Sequence, residues 1–491
     1  MKSWVMTAFG LASLTACTVG PNYNVPAKAT AVDPLARAPF VGAASNTVVS
    51  APLPDHWWKL YDDARLDDLI REGLAANRDL GAAQENLARA TYAVYEAESA
   101  NLPSTALSGA VAVSTPPLPR AAGMPLRGVY SLGGAISYAL DLAGGIRREV
   151  EAAKAGRDTL QAARDQVRMV VAAGITRDYI AACSANQTLA SAQHVLDVET
   201  QTLRATERLR QGGRATAFDV TRARAAVATS GAALPPIVAQ RNAAVFALTA
   251  LLGRVPAQYP REVQACLAPP RLLAEIPVGD GAALIRRRPD IREAERKLAA
   301  ATALIGVETA ALYPQVSLGG SIGMSGPTSK FSNKSQISMS FGPIVTWTFP
   351  NVVATRARIA EAGATARAAE QTFDGAVIEA LRDTETALDA YSGELQHNGS
   401  LVAARDTASE ANEQAWRLFR FGRTDFLSVL SAQENLASAE SSLAASNASL
   451  IDRQIGVFIA LGGGWEDSAS PQMSPPGADN IEQPSDVRPS P

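Results

Sequence analysis

L-R-Q-G-G-R-A-T-A-F-D-V (residues 209–220) and L-F-R-F-G-R-T-D-F-L-S-V (residues 418–429) are two copies of one pattern. In each, a leucine-headed, arginine-bearing segment reaches a glycine and then resumes. A glycine there lets a helix end on a left-handed residue, so that the chain can turn back. Each stretch therefore predicts the tip of an antiparallel helical hairpin. The offset between them is 209 (422 minus 213).

The same offset carries Arg147 to Arg356, Val150 to Ile359 and Gly253 to Gly462. Further upstream an offset of 211 carries Pro103 to Pro314 and Gly109 to Gly320. It also aligns A-A-N-R-D-L-G-A-A-Q-E around Asp79 with R-R-R-P-D-I-R-E-A-E-R around Asp290. The two-residue change falls between Gly109 and Arg147, where a strand-to-strand loop is expected. The chain is a tandem duplication of one long unit.

No proline lies between Pro125 and Pro235, or between Pro350 and Pro471. Both gaps are rich in Ala, Leu, Gln, Glu and Arg, which favour helix. Val377, Leu381, Leu388, Leu395 and Val402 form one stripe at heptad steps, with Thr384, Tyr391 and Asn398 between them. Leu436, Leu443, Leu450 and Val457 continue the spacing, as do Leu189, Leu196 and Leu203. Such repetition predicts coiled-coil packing. A helix over residues 147–211 would run about 100 Å at ~1.5 Å per residue. Pro235-Pro236 predicts a break in the returning helix, and the proline-rich residues 254–280 predict the link between repeats.

Each repeat also holds two runs of period two. Leu107, Gly109, Val111 and Val113 alternate with Ser108, Ala110, Ala112 and Ser114. The partner run sets Leu132, Gly134, Ile136, Tyr138 and Leu140 against Ser131, Gly133, Ala135, Ser137 and Ala139. In the second repeat Val316, Leu318, Gly320, Ile322 and Met324 alternate with Ser317, Gly319, Ser321 and Gly323. Met339, Phe341, Pro343, Val345, Trp347 and Phe349 alternate in turn with residues that are mostly Ser, Gly and Thr. One apolar face and one small polar face is the pattern of a transmembrane strand, with Tyr138 and Trp347 as candidates for an interfacial aromatic girdle. A soluble sandwich with one wet face is the alternative. Four strands cannot close a barrel, because even small barrels need about eight. A membrane reading therefore requires several chains sharing one barrel.

The N-terminus adds an address. Lys2 precedes an apolar run from Trp4 to Leu14, too short for a spanning helix of roughly 20 residues. The run ends L-T-A-C at residues 14–17, which resembles a bacterial lipobox with acylation at Cys17; an ordinary signal with a chance cysteine is the alternative. A lipidated Cys17 would tether the chain, since each buried methylene adds roughly 0.8 kcal/mol. Thr18 in the following position, rather than Asp, favours outer-membrane sorting by resemblance.

The formal charge of −3 over 491 residues gives no argument for nucleic acid. Cys183 and Cys266 match no zinc spacing and read as buried thiols, with a disulfide the lesser alternative. His56, His194 and His397 are scattered, so neither metal nor cofactor is expected. G-x-S-x-G at residues 319–323 lies within an alternating strand, not at the strand-to-helix turn that a nucleophile elbow needs. An enzyme is not expected.

The order of lipobox, helices, strand hairpin and long helical hairpin, repeated once, resembles the outer-membrane factor family of TolC-like and OprM-like exit ducts. C-T-V-G-P-N-Y-N-V-P, from Cys17, resembles the start C-x-x-G-P-x-Y of NodT-type lipoproteins. W-W-K-L-Y-D-D-A-R-L-D-D-L-I-R-E-G-L-A-A-N-R-D-L, R-R-R-P-D-I-R-E-A-E and V-L-S-A-Q-E-N-L add to it. The likeness covers residues 17–465.

It implies a mixed α+β membrane protein in which three chains form a twelve-stranded β-barrel continuous with a periplasmic α-helical barrel. The expected organisation is a signal at residues 1–16 and a lipid-anchored extended tether at 17–55. The first repeat takes 56–255, with strands near 104–114 and 130–141 and a tip near 209–216. A linker at 256–280 leads to the second repeat at 281–464, with strands near 315–325 and 336–349 and a tip near 418–425. A disordered tail at 465–491 ends the chain.

The implied function is passive exit across periplasm and outer membrane, driven by an inner-membrane transporter of the resistance-nodulation-division class through a periplasmic adaptor. An ABC-type secretion partner and a lipid-anchored scaffold without a pore are the alternatives. The implied adaptor contacts are Leu209, Arg210, Gly213, Arg214, Leu418, Arg420, Gly422 and Arg423. Related ducts narrow at aspartates in V-L-D-A-Q. This chain departs from them, with Ser428 and Ser431 at those positions. The expected constriction shifts to Asp425, Leu427 and Leu430 beside the two serines, with weak cation preference; the alternative is that both serines are merely solvated.

Overall fold

The computed structural model describes residues 18–44, 48–114, 127–272, 275–330, 336–347, 349 and 352–465. The signal, Cys17 and residues 466–491 of the expected tail lie outside the described residues. In chain order the elements begin with the short strand β1 (Val48–Val49), then α1 (Ala64–Ala76), α2 (Arg78–Ser99), β2 (Ser104–Ser114) and β3 (Arg127–Leu140). The first long hairpin is α3 (Gly145–Gln211) and α4 (Ala217–Leu251). The one-turn α5 (Arg261–Gln264) and strand β4 (Ile276–Pro277) lie in the connection. The second repeat runs α6 (Gly281–Arg287), α7 (Pro289–Ala310), β5 (Gln315–Pro327), β6 (Gln336–Thr346), α8 (Val352–Arg420) and α9 (Phe426–Ala460).

Local chemistry sets the element ends. Asp63 caps α1 by accepting from the Arg65 and Leu66 amides, and Asn77 caps α2 through the Leu80 amide. Pro289 begins α7, where its missing N–H costs nothing. α3 stops at Gly212-Gly213 and α8 just before Gly422. Both Gly213 and Gly422 are left-handed, at φ +72° and +69°. Arg214 N–H donates to Leu209 O and Arg423 N–H to Leu418 O, so the orphan carbonyls of both tips are satisfied alike.

β2, β3, β5 and β6 form one antiparallel sheet in that order, leaving β2 and β6 as its edges. Below it, α3 packs along α4 and α8 along α9, while α3 and α9 join the two hairpins. The apolar core lies partway down the long helices, where β1 pairs in parallel with β4. Trp57 is fully buried there and stacks on Phe458 at 4.6 Å. Ile175, Tyr179, Leu248, Phe373, Leu388 and Ile455 complete the packing.

Two expectations are corrected. Cys183 and Cys266 are not free thiols: they form a disulfide, with Cα atoms 5.1 Å apart. The reason is that α5 folds back onto α3, where Asn186 Nδ2 donates to the carbonyls of Gln264 and Cys266. Nor does Pro235-Pro236 break α4, which runs through both residues. A proline inside a helix removes the bond to the carbonyl four residues back. Pro235 and Pro236 are exposed, so water can serve the freed carbonyls.

Candidate functional site

The register of the sheet sorts its two faces. Leu107 lies opposite Gly134, Gly134 opposite Ile322 and Ile322 opposite Met339, so one row is apolar from edge to edge. The adjacent row is Ser108, Gly133, Gly323 and Ser338. A one-residue slip in any strand would reverse that strand's faces. The apolar row is bare in the single chain: Leu107 is 92% and Met339 76% exposed. On the small face the hydroxyls of Ser321 and Ser340 hydrogen-bond at 2.8 Å. Tyr138 and Trp347 lie at the helix-proximal edge of the sheet, both exposed, and Trp347 Nε1 donates to Leu312 O at 3.2 Å.

At that same edge the N-terminal segment is strapped down. Val19 N–H donates to Ala143 O at 3.0 Å, in the turn between β3 and α3. Arg148, only 3% exposed, aims its guanidinium at the segment. Its Nε donates to Val19 O, and its Nη2 to Gly20 O at 3.2 Å and Asn22 Oδ1 at 2.7 Å. Gly20 has φ +85°, and a Cβ there would lie 2.5 Å from Gly306 Cα. Tyr23 donates to Glu295 Oε1 at 3.1 Å. Burial, and then the Glu295 charge, push the Tyr23 hydroxyl above its ordinary value, so it stays a neutral donor. The Gly and Tyr of C-x-x-G-P-x-Y thus have structural tasks. Further on, Thr30 N–H donates to Asp374, and the Val41 and Gly42 amides to Glu385, which ties the segment along α8.

At the far end the predicted tip residues gather on two matching turns. Arg210, Gly213, Arg214, Leu418, Arg420, Gly422 and Arg423 are exposed, and Leu209 is half-buried. Phe421, within the second tip stretch, and Phe218, which was not among the expected tip residues, stand beside them at 80% and 68% exposure. Thr216 and Asp219 close a capping box on α4. Asp425 caps α9, accepting from the Ser428 amide at 2.9 Å and its hydroxyl at 2.6 Å. These hydrogen bonds, with those from Thr216 at Asp219, hold both carboxyls below the usual range.

Among the expected constriction residues, Leu430 is corrected. It is 3% exposed, buried between helices. Asp425, Leu427, Ser428 and Ser431 instead line an open groove between α8 and α9, about 810 Å³ in volume, with Ala404, Thr407, Ala408 and Ala411 on its other wall.

A two-faced sheet standing on helices of this length is a section of a membrane duct wall. The sequence profile described as "Outer membrane efflux protein" matches residues 69–254 and 282–463. The nodulation protein T of Rhizobium leguminosarum bv. trifolii is 29% identical, over 94% of this chain and 97% of its own. The probable efflux pump outer membrane protein TtgC of Pseudomonas putida is 28% identical, over 95% of this chain and 96% of its own. The solved structure of the outer-membrane channel OprN matches at TM-score 0.83 and 31% identity, covering 91% of this chain and all of that one. The chain belongs to the outer membrane efflux protein family. It resides in the outer membrane, with its long helices in the periplasm.

Proposed function

We propose that three copies of this chain form one passive exit duct of a tripartite efflux pump. Each copy contributes four strands to a shared barrel and two helical hairpins to a tunnel below it. The observation that carries this reading is the cross-strand register, which sorts an apolar from a serine-and-glycine face while leaving β2 and β6 open as edges. Open strand edges are templates for further pairing, and only a closed barrel is stable in lipid.

The apolar row then meets lipid and the small row lines water. Acylated Cys17, one residue before the strapped segment, enters the membrane at the helix-proximal edge of the barrel. The tips at Gly213 and Gly422 receive a periplasmic adaptor, which links the duct to a transporter of the resistance-nodulation-division class. Energy comes from that transporter; the duct supplies a route. Planar-bilayer recording on purified protein tests the reading: discrete conductance steps are expected. A membrane-inserted protein that never conducts would overturn it in favour of a scaffold.

A further inference from the structure

We propose that a pocket beside the Cys183–Cys266 bond is a binding site for a small α-amino dicarboxylate. The pocket, about 220 Å³ in volume, lies between α3, α8 and α9, with Arg271 of the link between repeats on its wall. All of its walls come from one chain, so it does not depend on how many copies form the duct. Sites for drug-sized ligands hold roughly 300–1,000 Å³, so the occupant here is small.

The disulfide builds the pocket. Ser184, on the α3 wall, follows Cys183 directly, and Arg271 comes five residues after Cys266 (271 minus 266). Asn186 Nδ2 donates to the carbonyls of Gln264 and Cys266, which fixes the start of the link a second time. Pro269 and Pro270 then stiffen the chain between the bond and Arg271. An exposed arginine of the link is thereby held against the walls of α3 and α9.

The fold leaves the polar groups of this pocket unused. Ser184 is 8% exposed, and its hydroxyl has no partner. A helical hydroxyl can donate to the carbonyl four residues back, as Thr188 does to Ser184 O, yet Ser184 makes no such bond. Among the described residues neither Arg271 nor Glu440 has an ion-pair or hydrogen-bond partner. Arg405 Nε is buried and lies 3.0 Å from Asp406 Oδ1, but out of line for a hydrogen bond. The Asp406 side chain is 62% exposed, where such a pair is weak. A buried donor without a partner is costly, and a ligand oxygen would relieve it.

The charges name the class. Arg271 and Arg405 call for two negative groups on the ligand, and Glu440 for one positive group. A guanidinium holds a carboxylate through paired N–H donors, and a carboxylate holds an ammonium group. Ser184 and Gln187 add neutral donors, and Leu443 with Ala444 gives a short apolar strip for methylenes. An amino acid with a second carboxylate, such as glutamate or aspartate, carries that set.

The test is isothermal titration calorimetry on full-length protein in detergent micelles with three probes. They are L-glutamate, glutarate, which lacks the ammonium group, and 4-aminobutyrate, which lacks one carboxylate. Glutamate should bind, and the other two should bind at least about tenfold more weakly. Arg271→Gln should weaken glutamate by about tenfold, and Glu440→Gln should abolish its advantage over glutarate. Neither side chain has a partner in the fold, so both variants should keep the wild-type thermal midpoint. Reduction of the Cys183–Cys266 bond should also weaken glutamate, because the link is then released from α3. Equal affinity of the wild type for all three probes would overturn the assigned class. No saturable heat with glutamate, or an affinity that Arg271→Gln and Glu440→Gln both leave unchanged, would overturn the site.

Discussion

The Arg148 guanidinium donates to the Gly20 carbonyl across 128 residues of sequence, at 3.2 Å, and the same side chain holds Val19 and Asn22. The N-terminal segment is therefore not a slack tether. It is fixed at the junction of sheet and helix, with Gly20 pressed against Gly306. Removing Arg148 would break three hydrogen bonds to half-buried or exposed acceptors, which water can take up in part, at roughly 0.5–1.5 kcal/mol for each bond. Arg148→Ala should raise amide exchange over residues 18–23 and lower the thermal midpoint. Gly20→Val should do the same, since the residue is left-handed and has no room for a Cβ. Unchanged exchange in both variants would mean that the strap is incidental.

The anchor itself is the second prediction. L-T-A-C at residues 14–17 calls for a mature chain that begins at acylated Cys17. Mass spectrometry of protein from native membranes should find lipid on that residue and nothing upstream of it. An unmodified N-terminus elsewhere would refute it. Cys17→Ser should lose the lipid, while the sheet still carries the chain into the membrane.

The Cys183–Cys266 bond closes a loop with a sequence separation of 83. In the chain-entropy picture a loop of that length contributes about 4–5 kcal/mol, as an upper figure. Reductant should therefore lower the denaturation midpoint of the wild type and leave a Cys183→Ala, Cys266→Ala double variant unaffected. The loss should centre on α5 and its contact with α3, as read by amide exchange over residues 261–268. Equal midpoints with and without reductant would show that the bond adds nothing to stability.

Asp178, on α3, has its carboxyl pushed up to about 6 by burial, with the Arg177 charge opposing the shift. The folded value lies above the ordinary value of 3.8, so the fold favours the protonated acid. That contribution is complete below the ordinary value and is lost as pH rises through about 6. Asp178→Asn should be more stable than wild type at pH 8, and the advantage should vanish at about pH 4. A difference that does not change with pH would remove Asp178 as the cause.

The sequence carried the long-range plan because the plan is local in its signals. Val377, Leu388 and Val457 are 0%, 2% and 0% exposed, as their heptad stripe implies. Strand faces were legible from alternation alone, since side-chain direction in a strand depends only on parity. Contacts set by tertiary approach were not. Nothing near Cys183 in sequence signals that α5 returns to it. The motif glycine at residue 20 gave no hint of Gly306 or Arg148, which are distant in sequence. Leu430 misled because Ser428, Leu430 and Ser431 are neighbours in sequence but stand on different faces of a helix; only packing against α3 tells which face is covered.

The last prediction concerns the periplasmic constriction. The family resemblance implies carboxylates at the positions where this chain has Ser428 and Ser431. Three carboxylates about a narrow axis attract cations, whereas serine hydroxyls offer only dipoles. Ser428 is further engaged, since its amide and hydroxyl both donate to Asp425. Asp425 is thus both a helix cap and an exposed charge, and Asp425→Ala would remove the two together. Asp425→Asn separates them, because asparagine caps as well as aspartate does. If the Asp425 charge selects ions, Asp425→Asn should reduce cation preference in single-channel recordings with the helix start intact by amide exchange. Ser431→Asp should raise cation preference towards that of an aspartate ring, and Leu427→Ala should widen the conductance. Should Asp425→Asn and Ser431→Asp both leave selectivity unchanged, with Leu427→Ala conducting as wild type, the narrowest point of the duct lies away from the start of α9.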